Sequence, residues 1–347
     1  MHSPGTPGAG RDGDLDAESG LEPRDVVLIG DIHGWSDRIR TLWVRLEAKL
    51  GQARLARAVV VLLGDYVDRG PDSRGVLDFL IHLKETRDAA GRVTRFIAGN
   101  HDFGMACFLG TPPIDEAVLR DVDLDSTHKE TQRSCYQHEV DGGMHTAGRR
   151  WGGSTTYQNT AETFRSYGVD LESCIGCSPE SRELFIERVP EEHKRFLASL
   201  EWCADLEMGP HIQPGGRVLC VHAGLVPTLP LEPQLEALKA RDVAAPVLQT
   251  QYLGYIDAFS AKLKVMPQHP ELKGKAVLVS GHHATRFSTD GTDEDACCEP
   301  GLAYKVPVFA ERDAMNGERL ITDFSGGWEN KELEALVLPS REVIGSG

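Results

Sequence analysis

Short β-branched runs that end in Gly-Asp or Gly-Asn are the feature of this sequence that most restricts its fold. Such runs span residues 25–30, 58–63 and 93–97, and a polar segment with helical periodicity follows each of the first two. Buried strands that alternate with amphipathic helices indicate βαβ units. Ser36 is placed to cap the first of these helices, and Ser73 precedes the second. The pattern predicts an α/β protein.

The periodicity weakens in the middle of the chain. Between about residues 110 and 210 the composition turns to His, Gly, Ser, Arg and Glu, with helical patches near 160–167 and 192–200. We interpret this segment as a long insertion. Strands are predicted again at 218–222 and 276–280, and each of these runs ends in histidine and glycine.

The two ends of the chain differ in character. Apolar runs at 306–310, 319–322 and 333–338, separated by Gly and Asn turns, predict an antiparallel meander. Residues 1–24 are acidic, rich in Gly and Pro, and lack the apolar stretch of a secretory signal. We interpret them as a disordered acidic tail that precedes one domain spanning 25–347.

The charge balance restricts the partners of this protein. The sequence has 37 Lys and Arg against 53 Asp and Glu, a formal net charge of −16, which argues against nucleic-acid or anionic-membrane surfaces. No apolar run reaches the roughly 18 residues that span a bilayer. Eight cysteines without a signal peptide predict reduced thiols and a cytoplasmic or nuclear location. We assign no role to the closely spaced pairs Cys174/Cys177 and Cys297/Cys298.

Polar side chains follow the predicted strands at the points where each apolar run ends. They are Asp31, His33, Asp65, Asp68, Arg69, Asn100, His101, His222 and His282. Ligands of open α/β sheets bind outside the carboxyl ends of the strands, so these side chains are expected to meet. Carboxylates, imidazoles and one amide suit manganese, iron or zinc better than calcium, which prefers oxygen alone. The sequence therefore predicts a divalent-metal site.

The five clusters, in this order, resemble the motifs of the phosphoprotein phosphatase superfamily. They read Gly-Asp-Ile-His-Gly at 30–34, Gly-Asp-Tyr-Val-Asp-Arg-Gly at 64–70, Gly-Asn-His-Asp at 99–102, His-Ala-Gly at 222–224 and Gly-His-His at 281–283. The resemblance covers residues 25 to about 285. It implies a calcineurin-like α/β/β/α metallophosphoesterase sandwich and two divalent ions. Such ions lower the pKa of a bridging water, which attacks the phosphoryl group in line.

The resemblance also implies a role for each matching residue. The first metal would be held by Asp31, His33 and Asp65, and the second by Asp65, Asn100, His222 and His282. His101 would protonate the leaving oxygen while Asp68 orients its ring.

Other residues are candidates for phosphate binding. Arg69 and Asn100 would contact the phosphate, and Arg241, Arg149 and Arg150 are further candidate cations for binding the substrate. The alternatives are a helix-entry ion pair for Asp68 with Arg69, a turn role for Asn100 and a solvated surface position for Arg241. His283 has no role carried over from the family.

One motif distinguishes branches within the superfamily. Ser/Thr phosphatases usually carry Leu-Arg-Gly-Asn-His-Glu, whereas residues 97–102 read Ile-Ala-Gly-Asn-His-Asp. This form, with Gly-Arg-Arg-Trp at 148–151, resembles the bacterial-type, Rhizobiales-like phosphatases. That resemblance implies phosphorylated protein substrates and a preference for phosphotyrosine, with activation loops of mitogen-activated protein kinases as candidates. A phenol with a pKa near 10 leaves more readily than an alkoxide, which is compatible with one phosphate contact fewer.

Three other functions remain open from the sequence. A Ser/Thr-specific phosphatase would share the motifs, and so would a symmetrical diadenosine tetraphosphatase, although those enzymes typically carry alanine where this chain has Asp68. An inactive phosphopeptide-binding scaffold is the third. It is disfavoured because all six predicted metal ligands and His101 are present.

Overall fold

A computed structural model describes most of the predicted domain. The described residues are 24–111, 160–171, 179–243, 245–248, 256–261, 264–283, 318–323, 329 and 331–347. The predicted tail up to residue 23, the predicted strand at 306–310, Arg149, Arg150 and both closely spaced cysteine pairs lie outside these ranges. Within the described ranges, no helix is long and apolar enough to cross a membrane.

The described segments form nine strands and nine α-helices. The strands are β1 (Val26–Ile29), β2 (Val59–Leu62), β3 (Thr94–Phe96), β4 (Cys203–Glu207), β5 (Arg217–Val221), β6 (Val277–Ser280), β7 (Arg319–Ile321), β8 (Glu334–Leu338) and β9 (Glu342–Gly345). The helices are α1 (Ser36–Leu50), α2 (Gln52–Arg57), α3 (Ser73–Ala89), α4 (Asn100–Phe108), α5 (Thr160–Ser166), α6 (Pro179–Arg188), α7 (Glu191–Ala198), α8 (Leu231–Ala240) and α9 (Asp257–Ser260). Two short 3₁₀ helices span Pro246–Leu248 and Pro270–Leu272.

The strands form two sheets. The first has the order β3-β2-β1-β8-β9, in which β1, β2 and β3 are parallel while β8 and β9 run antiparallel to their neighbours. The second has the order β4-β5-β6-β7, in which β5, β6 and β7 are parallel and β4 is antiparallel. Cys203–Glu207, at the end of the predicted insertion, thus supplies an edge strand.

Side-chain alternation along the strands explains how the sheets are layered. Val26 and Leu28 of β1 pack in a core with Val218 and Cys220 of the second sheet. Residues on the opposite face of each sheet pack against helices instead. In the first sheet they are Val27, Ile29, Val60 and Leu62, which meet Ile39, Leu42 and Leu46 of α1 and Val76, Leu77 and Leu80 of α3. Both faces of each sheet are buried, which confirms the predicted α/β/β/α sandwich.

Two local predictions were wrong. The last segment is not a meander, because β7 pairs in parallel with β6 while β8 inserts between β1 and β9 in the other sheet. Both faces of β8 are apolar and buried, so this strand fits the interior of a sandwich better than a half-exposed hairpin. The cap of α1 is also displaced by one residue, since Trp35 precedes the helix and Ser36 is its first residue.

Candidate metal centre

Asp65 lies at the centre of a buried cluster at the carboxyl ends of the parallel strands. Its side chain is 2% exposed. The Oδ2 atom lies 3.5 Å from Nε2 of His33 and 3.4 Å from Nε2 of His222. His33 comes from the loop after β1 and His222 from the loop after β5. One carboxylate oxygen therefore faces imidazoles from both sheets, as a ligand shared by two ions would.

Backbone carbonyls orient both imidazoles. Nδ1 of His33 lies 2.9 Å from the carbonyl oxygen of Val67, and Nδ1 of His222 lies 2.6 Å from that of Leu63. A carbonyl can only accept, so each Nδ1 carries the proton and each Nε2 is directed into the cluster. The buried Nε2 of His33 has no hydrogen-bond partner among the described residues. An unsatisfied buried nitrogen of this kind fits a metal ligand.

The Asn100 amide gives a second indication that the cluster takes a cation. Its Oδ1 atom lies 3.1 Å from Nε2 of His222. In the neutral tautomer set by Leu63, both atoms are acceptors, so a positive charge between them would satisfy both. A proton on His222 or a divalent ion bound by both atoms would supply it.

Asp31 and His282 complete the cluster. The backbone N–H of His282 donates to Oδ1 and Oδ2 of Asp31 at 3.0 and 3.2 Å, and Oδ2 of Asp31 lies 3.8 Å from Nε2 of His33. The rings of His222 and His282 meet edge-on with centroids 5.0 Å apart. Ligand atoms of Asp65, His222 and His282 lie within 4.8 Å of one another, as do those of Asp65, His33 and His101.

The pKa values of the cluster residues also favour a bound cation. Burial, together with the carboxylates of Asp323 and Asp65, raises the pKa of Asp31 well above its usual value. Burial alone would lower the pKa of His222, but Asp65 raises it to about 9. The pKa of His33 is lowered by burial and by the nearby Arg69 guanidinium, which keeps this imidazole neutral and able to bind a metal. The repulsion among the carboxylates around Asp31 and the neutral His33 imidazole both suit a cation bound between them.

The residues present therefore fit two divalent ions. Asp31, His33 and Asp65 would hold one ion, and Asp65, Asn100, His222 and His282 the other. Carboxylate, imidazole and amide donors are those that manganese, iron and zinc accept.

Backbone geometry explains why the loops present these ligands together. Asp65 has a left-handed φ of 54°, and Gly64 before it has a φ of 98°. A Cβ at Gly64 would lie 2.4 Å from the backbone nitrogen of Gly99, so the loops after β2 and β3 can approach only without a side chain there. The carboxylate of Asp102 joins the same loops by accepting from the N–H groups of Asp65, Tyr66 and Gly99 at 2.7–2.9 Å.

His101 and Asp68 form a buried pair beside the cluster. Nδ1 of His101 lies 2.7 Å from Oδ2 of Asp68, and the side chains are 3% and 0% exposed. The rings of His101 and His33 meet edge-on at 4.8 Å. Asp68 therefore fixes the ring orientation of an imidazole that adjoins the candidate ligands. Arg69 follows at a half-buried position, with a left-handed φ of 66°.

Arg241 is the predicted site residue that the structure does not bring to the cluster. It ends α8 with a φ of 51°, and its Nη1 donates to the carbonyl oxygen of Ala198 at 3.1 Å. Burial raises the pKa of Glu201, and the charges of Arg95 and Arg241 offset part of that rise. The contacts described for Arg241 thus lie near the end of α7. His283 lies at the cluster edge, where its Nε2 donates to the carbonyl of Ala223 at 2.7 Å.

Sequence reasoning missed several residues around the cluster. Asp323 follows β7, is 1% exposed and acts on the charge of Asp31. The rule used for the other strand ends would have found it, because β7 runs parallel to β6. Asp102 belongs to the Gly-Asn-His-Asp motif, but the motif alone does not predict that its carboxylate joins two loops. Thr163 of α5 hydrogen-bonds to Asp68, and no sequence signal connects these two residues.

The comparisons with known proteins agree with this architecture. Residues 25–167 match the model of a family described as calcineurin-like phosphoesterase. The fold is that of a metallophosphoesterase. No curated protein sequence matches the chain significantly.

Several solved structures resemble this metallophosphoesterase fold. A cold-active protein-tyrosine phosphatase of the psychrophile Shewanella sp. is 15% identical, with 93% of this chain and 77% of that chain covered and a TM-score of 0.45. A proposed diadenosine tetraphosphatase is 16% identical, with 93% of each chain covered and a TM-score of 0.40. A protein serine/threonine phosphatase from Saccharomyces cerevisiae is 14% identical, with 75% and 61% covered and a TM-score of 0.34. At these values the matches carry no argument about substrate.

Proposed function

We propose that this protein is a metal-dependent phosphoprotein phosphatase that hydrolyses phosphate monoesters and prefers phosphotyrosine. The observation that carries the proposal is the 2.7 Å contact between His101 Nδ1 and Asp68 Oδ2 beside the candidate metal ligands. A general acid is needed most when the leaving group is a poor one, as the alcohols and phenols of phosphate monoesters are. Retention of Asp68 also separates this chain from the diadenosine tetraphosphatases that typically carry alanine there.

The reaction divides between the bound ions and the protein side chains. Two divalent ions held by the candidate ligands would lower the pKa of a water and neutralise charge on the phosphoryl group. His101, protonated on Nε2, donates that proton to the leaving oxygen as the P–O bond breaks. Asp68 holds the Nδ1–H and stabilises the imidazolium before transfer. The products are inorganic phosphate and the free hydroxyl of the substrate.

Arg69 is the candidate for binding the substrate phosphate. It is half-buried beside the cluster, and its charge is close enough to His33 to lower the pKa of that imidazole. A guanidinium can donate two parallel hydrogen bonds to phosphate oxygens, which a lysine cannot do. Asn100 would contribute to phosphate binding from the start of α4.

The preference for phosphotyrosine rests on the motif resemblance and on leaving-group chemistry. The Ile-Ala-Gly-Asn-His-Asp form lacks the arginine that Ser/Thr phosphatases carry at this place. A site with one phosphate contact fewer is compatible with turnover of an aryl ester, because a phenol is a better leaving group than an alkyl alcohol. Peptides from activation loops of mitogen-activated protein kinases, which carry phosphothreonine close to phosphotyrosine, are the proposed protein substrates.

The first experiment compares substrates. Manganese-loaded protein is assayed on matched phosphotyrosine, phosphoserine and phosphothreonine peptides and on diadenosine tetraphosphate. We expect kcat/KM to be highest for phosphotyrosine. A preference for phosphoserine or phosphothreonine would overturn the tyrosine preference but retain the phosphatase. Activity on the dinucleotide alone, or no activity at all, would overturn the proposed function.

The second experiment tests the acid. His101→Asn should retain both ions and lose far more kcat on alkyl phosphates than on an aryl phosphate with a good leaving group. His82→Asn is the control, because His82 lies exposed on α3. Equal losses on the two substrate classes would contradict the acid role.

A further inference from the structure

We infer that Thr163, in the first helix described after residue 159, is a positioning residue for the Asp68–His101 acid pair. The inference rests on the proposed function, in which His101 is the general acid. Thr163 Oγ1 donates to Oδ1 of Asp68 at 2.7 Å, while Oδ2 of the same carboxylate holds His101. Each oxygen of Asp68 therefore has its own partner, and α5 supplies one of them.

The direction of the hydrogen bonds follows from the groups involved. The backbone N–H of Asp68 donates to Thr163 Oγ1 and to Ser73 Oγ, both at 3.0 Å. Since the single hydroxyl proton of Thr163 goes to the carboxylate, the 2.8 Å contact between the hydroxyls has Ser73 as its donor. Ser73 thus donates to Thr163 and Thr163 donates to Asp68, which also accepts from Nδ1 of His101. Such a chain requires Asp68 to remain an ionised acceptor.

Burial increases the cost of losing one of these hydrogen bonds. The side chains of Asp68, Ser73 and Thr163 are each 0% exposed, so water does not replace a lost donor. Asp68 also has a left-handed φ of 72°, which only surrounding contacts can hold in place. Without the Thr163 hydroxyl, the carboxylate is free to turn toward other donors, and the His101 ring loses its fixed orientation.

The hydrogen bond between Thr163 and Asp68 joins distant parts of the chain. Asp68 and Thr163 are 95 positions apart, and Thr163 lies beyond the segment of residues 112–159. A residue outside the predicted sequence motifs thus contributes to the Asp68–His101 pair, and the position of α5 affects how well His101 donates its proton.

The test uses three variants of the full-length, manganese-loaded protein. Thr163→Val keeps the shape but removes the hydroxyl, and Thr163→Ser restores it. Thr160→Val is the matched control, because Thr160 is a buried threonine on the same helix whose hydroxyl has no hydrogen-bond partner in the described structure. The backbone N–H of Asp68 keeps Ser73 as an acceptor in all three.

We expect a loss that depends on the leaving group. In Thr163→Val, kcat on a phosphoserine peptide should fall about tenfold, while kcat on p-nitrophenyl phosphate changes less than twofold and KM is unchanged. Thr163→Ser should return kcat to within about twofold of wild type, and Thr160→Val should not alter the ratio. Metal content should stay the same throughout, because Thr163 contacts no candidate ligand in the described structure.

A spectroscopic readout separates this inference from the proposed function. The downfield proton resonance of His101 Nδ1–H, recorded on the diamagnetic zinc-loaded protein and identified by its loss in His101→Asn, should move in Thr163→Val but not in Thr163→Ser or Thr160→Val. A resonance that stays in place, or an equal loss of kcat on both substrates, would overturn the positioning role. If wild-type protein hydrolyses no monoester, the proposed function fails and the resonance alone decides whether Thr163 positions the pair.

Discussion

Replacing Arg319 by methionine should weaken metal binding as well as stability. The guanidinium is buried at 5% exposure and donates to the carbonyls of Met266 and Leu320 at 2.9 and 2.7 Å and to Ser280 Oγ at 2.7 Å. A longer contact of 3.4 Å reaches the carbonyl of Ala223. Arg319 thus ties together the strand ends that lead into the loops of two candidate ligands, His222 and His282.

The size of the effect follows from two opposing contributions. Burial lowers the pKa of Arg319 to about 9, so about 5 kcal/mol is spent on keeping the charge inside the protein. The three short hydrogen bonds from a charged donor contribute roughly 1.5–3 kcal/mol each. Methionine removes both contributions but leaves three buried acceptors without their donor. The regained burial cost and the lost hydrogen bonds roughly cancel, so we expect a net loss of at least about 3 kcal/mol in the free energy of unfolding, since each of the three unsatisfied acceptors costs about 1–3 kcal/mol.

The assay compares this variant with a second buried arginine that lies away from the cluster. Arg87 is 2% exposed and donates to Thr94 Oγ1 and to the carbonyls of Leu55, Ala58 and Val93. Ala58 and Val93 precede β2 and β3. The Arg87 contacts therefore lie at the amino ends of these strands, opposite the carboxyl ends where the candidate metal ligands lie.

Denaturant unfolding and manganese titration are then run on both variants. Arg87→Met should lose similar stability and bind manganese normally, whereas Arg319→Met should also bind the second ion about tenfold or more weakly, as loss of a residue supporting metal ligands does. Equal manganese affinity in the two variants would refute the reasoning.

Three further predictions concern the cluster and its surroundings. Asp65→Asn should reduce the metal content from two ions to none, because both ions share this carboxylate; retention of two ions by elemental analysis would contradict the bridging role. Burial lowers the pKa of His193 despite the nearby carboxylate of Asp78. The unfolded chain takes up the proton below about pH 6.5, so the folded protein should lose stability as the pH falls below that value. His193→Gln should flatten that dependence in denaturant unfolding at pH 5.5 and 7.5, and an unchanged slope would count against it. Arg69→Gly and Arg341→Gly should each stabilise the protein by about 0.5–1 kcal/mol by relieving a left-handed φ, yet only the first should raise KM for a phosphopeptide. Unchanged KM in Arg69→Gly would argue against phosphate binding.

Local sequence patterns were sufficient to predict most of the strands and the edge of the sheet where the cluster lies, but β4 and β9 were not predicted. Observed strands β1, β2 and β3 fall within the predicted runs at 25–30, 58–63 and 93–97. Such runs carry their own signal, because continuous β-branched residues fit strands buried on both faces. Parallel strands then bring their carboxyl ends together, which is why residues as far apart as Asp31 and His282 could be expected to meet.

Pairing between distant segments could not be predicted in the same way. The runs at 319–322 and 333–338 look alike in the sequence, yet β7 joins the second sheet and β8 the first. Which sheet a strand enters depends on the surfaces that both sheets leave open, and a local pattern does not contain that information. The contact between Thr163 and Asp68 could not be predicted for the same reason, because it forms only when α5 packs near α3.

Backbone conformation links the fold of this site to its chemistry. Seven non-glycine residues in the described part of the chain have a left-handed φ, and five of them belong to the candidate metal cluster or to the residues proposed to act beside it. These five are His33, Asp65, Asp68, Arg69 and His282. Glycine would adopt each conformation at lower cost, by about 1 kcal/mol or more, so folding alone does not favour the residues found there. The hydrogen bonds that hold the loops, such as those from the Asp65 and Tyr66 N–H groups to Asp102, offset this strain. Strain that is concentrated on side chains able to bind metal, phosphate or a proton is what a catalytic site requires and a purely structural loop does not.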